Sequence, residues 1–114
     1  PTVVYDPQGR LVLAVGAAGG GTIPAQVARA LIAVIDWKLP VADALAVPVL
    51  YSPGDTVIVE KGSALEALIP QLKALGHEKV VAYGLPLKTN AIALDAKGLS
   101  GAADPRSEGR AVTE

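Results

Sequence analysis

Gly16–Ala17–Ala18–Gly19–Gly20–Gly21–Thr22–Ile23–Pro24 is the stretch on which the reading of this chain turns. Before it, Arg10–Val15 is apolar and β-branched enough for a buried strand. After it, Val27, Leu31, Val34 and Ile35 recur at helical spacing between Ala25 and Trp37, with Arg29 and Asp36 off that apolar face. Thr22 suits an N-cap, and Pro24 suits a first turn, where its missing N–H costs nothing. A glycine-rich turn between strand and helix exposes backbone N–H groups near the positive end of the helix. One use for them is a phosphate cradle, but the Lys–Ser/Thr ending of a P-loop is absent and the glycine spacing does not fit the dinucleotide fingerprint. Another is an oxyanion hole, in which adjacent N–H groups stabilise the oxygen of a tetrahedral acyl-transfer intermediate. An ordinary strand-to-helix turn is the third reading, and composition alone favours it, because such turns are common.

Outward from this stretch the chain reads as hairpins and short helices. Thr2–Tyr5 is a strand joined to Arg10–Val15 through an Asp6–Pro7–Gln8–Gly9 turn. Val41–Ala46 is a short second helix between Pro40 and Pro48, and Val47–Asp55 is a Pro-rich loop rather than a linker. Thr56–Glu60 alternates like a strand. Ser63 and Glu66 form a capping box that opens a helix to Leu75, with Pro70 kinking it and Gly76 stopping it. Lys79–Tyr83, Asn90–Leu94 and Leu99–Ala103 are strands, the last two joined at Asp95–Gly98; the tail from Asp104 is polar and irregular. Strands that come as hairpins, with few helices, give an α+β chain with antiparallel sheets. No domain boundary or internal repeat stands out, so residues 1–114 form a single segment.

Composition narrows the function classes. With 51% hydrophobic and 18% charged residues, the 114 residues suit a globular fold, not a disordered one. A net charge of −1 without like-charge runs gives no nucleic-acid stripe and no membrane-surface helix. The absence of Cys excludes disulfides, thiolate metal sites and a cysteine nucleophile, and a single histidine, His77, excludes a multi-histidine metal site. No cofactor or metal is expected. No apolar run approaches the ~20 residues of a membrane span. The chain contains no Met and begins Pro1–Thr2–Val3, which suggests a fragment.

A series of collinear motifs resembles the small subunit of the γ-glutamyltranspeptidase family. The family strand ends in Gly-Ser-Pro-Gly-Gly, then a polar pair and Ile-Pro, as Gly16 to Pro24 nearly do. Val34–Ile35–Asp36 with Ala42–Pro48 resembles its N-V-I-D … A-V-x-A-P. Val59–Gly62 resembles V-E-x-G, Leu75–His77 resembles M-G-H, Thr89–Ile92 resembles the N-x-I strand, and Gly101–Arg106 resembles G-A-S-D-P-R. The resemblance implies a fragment of an N-terminal-nucleophile hydrolase αββα sandwich, the C-terminal part of a small subunit. In that family the precursor cuts itself and frees a threonine, whose hydroxyl attacks the γ-glutamyl amide with its own α-amine as base. Gly19 and Gly20 correspond to the oxyanion-hole glycines. The nucleophile and the serine pair that holds the glutamyl carboxylate correspond to positions upstream of Pro1. The implied partners are the remainder of the parent (large subunit and upstream small-subunit segment) and a γ-glutamyl, glutathione-like substrate. The isolated chain is expected to be inactive and to self-associate through uncovered apolar faces. The resemblance also suggests a periplasmic or extracellular setting.

Ala17 and Ala18 replace the motif's Ser and Pro. This departure keeps two alternatives open: an inactive or binding-only member, and a related amide acylase. Other polar residues read as structural. Thr2 is not an N-terminal threonine and is an ordinary strand residue. His77 sits at a helix end, Asp104 and Arg106 form an exposed pair organising the last turn, and Asn90 completes a turn before its strand. Trp37 is expected to pack at the helix end.

Overall fold

The computed structural model describes residues 1–112. They fall into two compact units, residues 1–47 with 87–112 and residues 48–86. In the first unit, β1 (Thr2–Tyr5), β2 (Leu11–Ala18), β6 (Lys88–Asp95) and β7 (Gly98–Ala103) form an antiparallel sheet in the order β1-β2-β6-β7. Helices α1 (Ile23–Ile35) and α2 (Val41–Ala46) lie on one face of it. Alternation along the strands decides which side chains they cover. Leu13, Val15 and Ala91 point into a core with Ala30, Val41 and Leu45. Leu13 and Leu45 are wholly buried, and each such leucine stabilises by roughly 1.5–3 kcal/mol.

The opposite face stays largely open, with residues 110–112 over part of it and Ala111 beside Gly101. The row Val3–Ala14–Ile92–Gly101 runs across all four strands on that side. Val3, Tyr5, Ile92 and Leu99 are 50%, 62%, 49% and 70% exposed. One side of the sheet is therefore covered and the other presents bare aliphatic and aromatic surface.

In the second unit, β3 (Leu50–Tyr51), β4 (Thr56–Glu60) and β5 (Lys79–Tyr83) form a three-stranded sheet in that order. Val57, Val59 and Val80 are its core, and Leu65, Ile69 and Leu72 pack on them at helical spacing from 310 turn Ala64–Leu68 and helix α3 (Ile69–Ala74).

The α+β class and the antiparallel main sheet match the sequence reading, and five local expectations change. β4 and β5 run parallel, because residues 61–78 between them form a helical crossover instead of a hairpin. Leu50–Tyr51, inside the expected Val47–Asp55 loop, pairs with Val59 and Ile58. Pro70 does not kink a helix; the chain runs as a 310 turn to Leu68, and Pro70 sits in the first turn of α3. Thr22 occupies the N-cap position of α1 but makes no side-chain cap bond. The strand before the glycines also runs to Ala18, so Gly16, Ala17 and Ala18 pair with Asn90, Thr89 and Lys88.

Candidate functional site

The polypeptide leaves β2 through two glycines in conformations that L side chains rarely adopt. Gly19 has φ 134° and Gly20 has φ 62°. Gly20–Thr22 then forms one 310 turn that runs directly into α1, with Pro24 in the first helical turn. Within this turn the Thr22 N–H donates to the Gly19 carbonyl at 3.4 Å and the Ile23 N–H to the Gly20 carbonyl. The carbonyls are thus drawn into the helix start. The amides at the head of the turn have no intrahelical acceptor. Among the described residues, neither the Gly19 nor the Gly20 N–H meets an acceptor. The 13-residue α1 directs its positive end at these donors. Gly20 is exposed, and a Cβ placed there would touch nothing within 4 Å.

The support for this turn comes from α1 and β6. The carboxamide of Gln26, wholly buried, donates from Nε2 to the Ala18 carbonyl (2.9 Å) and to Thr22 Oγ1 (2.8 Å). Its Oε1 accepts from the Lys88 N–H (2.8 Å) and from Thr89 Oγ1 (2.9 Å). Thr22 Oγ1 in turn donates to the Gly19 carbonyl at 3.0 Å. Thr22 therefore spends its hydroxyl on the turn behind it instead of on α1.

Beyond Thr89 the polar cluster continues. Arg29 Nη2 donates to Thr89 Oγ1 at 3.3 Å and lies 3.7 Å from Asp104 Oδ2, while Nη1 donates to the Val47 carbonyl. Asp104 is 1% exposed. Its Oδ1 accepts from the Arg106 backbone N–H at 2.9 Å and lies 3.2 Å from Arg106 Nη1. Arg106 also reaches the Leu45 and Ala46 carbonyls at 2.9 Å each, closing the C-terminus of α2. The expected exposed Asp104–Arg106 pair is thus a buried carboxylate between two guanidiniums, and the start of the expected irregular tail is an ordered turn. Arg29, expected off the packed face of α1, belongs with Gln26, Ala30 and Ala33 on its most buried stripe.

The remaining candidates lie apart. Thr2 is a half-buried strand residue opposite Val15. Asn90 sits in β6 between Gly16 and Ala103, inside a strand instead of before one. It lines an open groove of about 460 Å3 on the bare face of the sheet, together with Pro1, Gly16, Ile92 and residues 110–112. His77 is exposed just past the Gly76 helix stop. Trp37 is 56% exposed and does not pack as expected, because the chain turns away at Lys38, which has φ 56°. Among the described residues no three His, Cys, Asp or Glu side chains gather as metal ligands, and no helix is long and apolar enough to cross a membrane. Gln26 and Thr89 escape the sequence reading. The available signal was a polar residue on a stripe of alanines, Gln26 with Ala30 and Ala33.

A family model described as gamma-glutamyltranspeptidase matches residues 1–114. Among solved structures, an acivicin-inhibited gamma-glutamyltranspeptidase superposes with a TM-score of 0.83 at 27% identity, over 96% of this chain and 60% of that one. Gamma-glutamyltranspeptidase from Pseudomonas nitroreducens complexed with L-DON gives a TM-score of 0.83 at 27% identity, over 100% of this chain and 61% of that one. A cephalosporin acylase from Bacillus halodurans shares the fold alone, with a TM-score of 0.76 at 24% identity over 89% of this chain and 20% of that one. The chain thus spans about 60% of the length of the transpeptidase chains it matches. A search of curated proteins gave no match.

Proposed function

This chain belongs to the γ-glutamyltranspeptidase family, and we propose that in the complete protein it supplies the oxyanion-stabilising turn of an acyl-transfer site for γ-glutamyl amides of the glutathione class. The nucleophilic threonine then comes from the portion of the transpeptidase chains that these residues do not span. Its hydroxyl adds to the γ-carbonyl as its proton passes to the threonine's own amine. The carbonyl oxygen gathers negative charge and accepts from the Gly19 and Gly20 N–H groups. Collapse expels the amine with that proton and leaves a γ-glutamyl ester, which water or a second amine opens. The observation that carries this reading is the pair of unclaimed amides at the head of α1, with the turn's carbonyls drawn into the helix. Donors fixed before the charge develops need no reorganisation as it forms.

The bare face of the main sheet supports a wider role in assembly. Exposed apolar surface of more than a few hundred Å2 marks an interface. In this reading the rest of the parent covers Val3, Tyr5, Ile92 and Leu99, and the 114 residues expressed alone self-associate.

A second reading, an inactive or binding-only member, draws on Ala17 and Ala18 standing where the motif has Ser and Pro. Both alanines are held in the β2–β6 ladder, which rigidifies the approach to Gly19 without a proline. Release of aniline from a γ-glutamyl anilide decides between the readings. The complete protein should turn over and the 114 residues alone should not. A complete, processed protein that binds the anilide without cleaving it favours the second reading. Turnover by the 114 residues alone, lost on Thr2→Ala, overturns the assignment of roles.

A further inference from the structure

We propose that Gln26 is the positioning residue of the Gly19–Gly20 turn, a role that rests on the acyl-transfer reading above. Its carboxamide acts as a bridging amide unit between two strands. Ala18 and Lys88 are opposite each other at the end of the β2–β6 ladder. Nε2 of Gln26 holds the Ala18 carbonyl at 2.9 Å, and Oε1 holds the Lys88 N–H at 2.8 Å. The peptide plane that contains the Ala18 carbonyl also contains the Gly19 N–H, because the six atoms of a peptide unit are coplanar. Fixing that carbonyl therefore fixes the direction of the Gly19 donor.

The second contact extends the control by one peptide. Nε2 also donates to Thr22 Oγ1 at 2.8 Å, which directs the Thr22 hydroxyl proton to the Gly19 carbonyl at 3.0 Å. The Gly19 carbonyl shares its plane with the Gly20 N–H. One side chain thus orients both peptide planes whose donors form the proposed site, and it approaches from the carbonyl side, away from the donors themselves.

The orientation of the amide is not interchangeable. A flipped carboxamide would face its NH2 group to the Lys88 N–H and its oxygen to the Ala18 carbonyl, donor on donor and acceptor on acceptor. All these polar atoms lie around a wholly buried side chain, so an unmatched pair is not repaired by bulk water. Two glycines with positive φ have no side chains to hold them and are intrinsically free. Their geometry has to be imposed from outside, and Gln26 reaches both planes, the Ala18–Gly19 plane directly and the Gly19–Gly20 plane through Thr22.

The test uses the complete protein and a γ-glutamyl anilide, with Gln26→Leu, Gln26→Glu and Gly20→Ala measured side by side. Gln26→Leu should lower kcat about 100-fold with KM nearly unchanged, the signature of misplaced transition-state donors. Gln26→Glu covers the case in which the leucine variant does not fold, since it is nearly isosteric. Ionised, it sets a carboxylate oxygen against the Ala18 carbonyl. Protonated, it regains one donor and one acceptor in the original places. Its kcat relative to wild type should rise as pH falls, whereas the ratio for Gln26→Leu should stay flat. If Gly20→Ala is slow but the Gln26 variants keep wild-type kcat, Gln26 has no positioning role and the site reading stands. Slow Gln26→Glu without recovery in acid would also overturn the proposal, because a mere packing defect has no proton dependence of that sign. If the complete protein shows no turnover, the oxyanion reading fails and the role of Gln26 fails with it.

Discussion

Two strand-to-helix turns in this molecule solve the same problem in opposite ways. After β4, Gly62 takes φ 81° and Ser63 begins a 310 turn. Ser63 Oγ accepts from the Leu65 N–H at 3.2 Å, and Glu66 Oε1 accepts from the Gly62 N–H. The side chains that close this turn lie within a few residues. After β2, Gly19 and Gly20 take positive φ, but no side-chain oxygen caps the helix that follows. The closing groups are Gln26 and, through it, Lys88 and Thr89, more than sixty residues away. A cap and a ligand compete for the same N-terminal amides. The Ser63 turn has spent its donors on its own side chains. The Gly19 turn is held by its carbonyls, so its Gly19 and Gly20 donors remain unclaimed.

The remote support is only as firm as the buried cluster behind it, and that gives the largest expected effect. Asp104→Ala removes the carboxylate between Arg29 and Arg106, whose side chains are 8% and 23% exposed. Removing a carboxylate that faces one buried guanidinium, Arg29, and one partly exposed guanidinium, Arg106, should cost about 3 kcal/mol of stability, the lower end for a broken buried pair. Urea denaturation of the complete protein measures this. Below the transition, hydrogen exchange should accelerate in peptides spanning residues 16–23 and not in those spanning 60–66. Equal acceleration in both would erase the distinction between the turns.

The matched glycines come next. Gly20 and Gly62 both have positive φ, 62° and 81°, and both have open space where a Cβ would go. Valine at either position should therefore cost a similar ~1–3 kcal/mol in backbone strain. Turnover should separate them. Gly20→Val should lower kcat by ~100-fold, because it keeps its N–H but its branched side chain obstructs the close approach of substrate to the turn, and Gly62→Val should leave kcat at the wild-type level. Equal kcat losses would assign the effect to strain and not to the site.

What sequence reading captures follows the same line between near and far. The Ser63–Glu66 box was legible because its parts are three residues apart, although Glu66 bonds the Gly62 amide and not that of Ser63. The two hairpins of the main sheet were legible from apolar alternation and their turn residues. Pro70 reads as the interior of a helix because spacing alone does not reveal where a 310 turn becomes an α-helix. Leu50–Tyr51 is two residues long between Pro48 and Pro53, too short for any periodicity. The parallel β4–β5 pair was announced by the helix between the strands, a signal outweighed by the hairpins elsewhere. The glycines of the site stood out by composition, but nothing near Gln26, Arg29 or Asp104 in the sequence names their partners. Those partners become neighbours only when β6 lies beside β2.

The smallest effect concerns a third turn, closed locally like that at Ser63. Asp6 Oδ1 accepts from the N–H groups of Gln8 and Arg10 at 2.9 Å each, and Oδ2 accepts from Arg10 Nε at 2.7 Å. The Arg10 amide is the main cause that holds the Asp6 carboxyl below its ordinary value, joined by the Arg10 side-chain bond and the Gln8 amide, with desolvation opposing. A carboxylate depressed in the folded state adds stability above its unfolded pKa and loses it as pH falls through the folded one. Wild type should therefore exceed Asp6→Asn in stability at neutral pH. The gap should close as pH falls from the ordinary carboxylate range through the lower folded value, because the asparagine contribution does not titrate. High salt should shrink the part due to the Arg10 charge and spare the amide bonds. Carboxyl chemical shifts followed against pH, with denaturation at each point, measure both. An Asp6 midpoint at its ordinary value would show that this turn is not closed by its carboxylate. Because its amides are spent on that carboxylate, as those at Ser63 are on theirs, kcat should not follow the change.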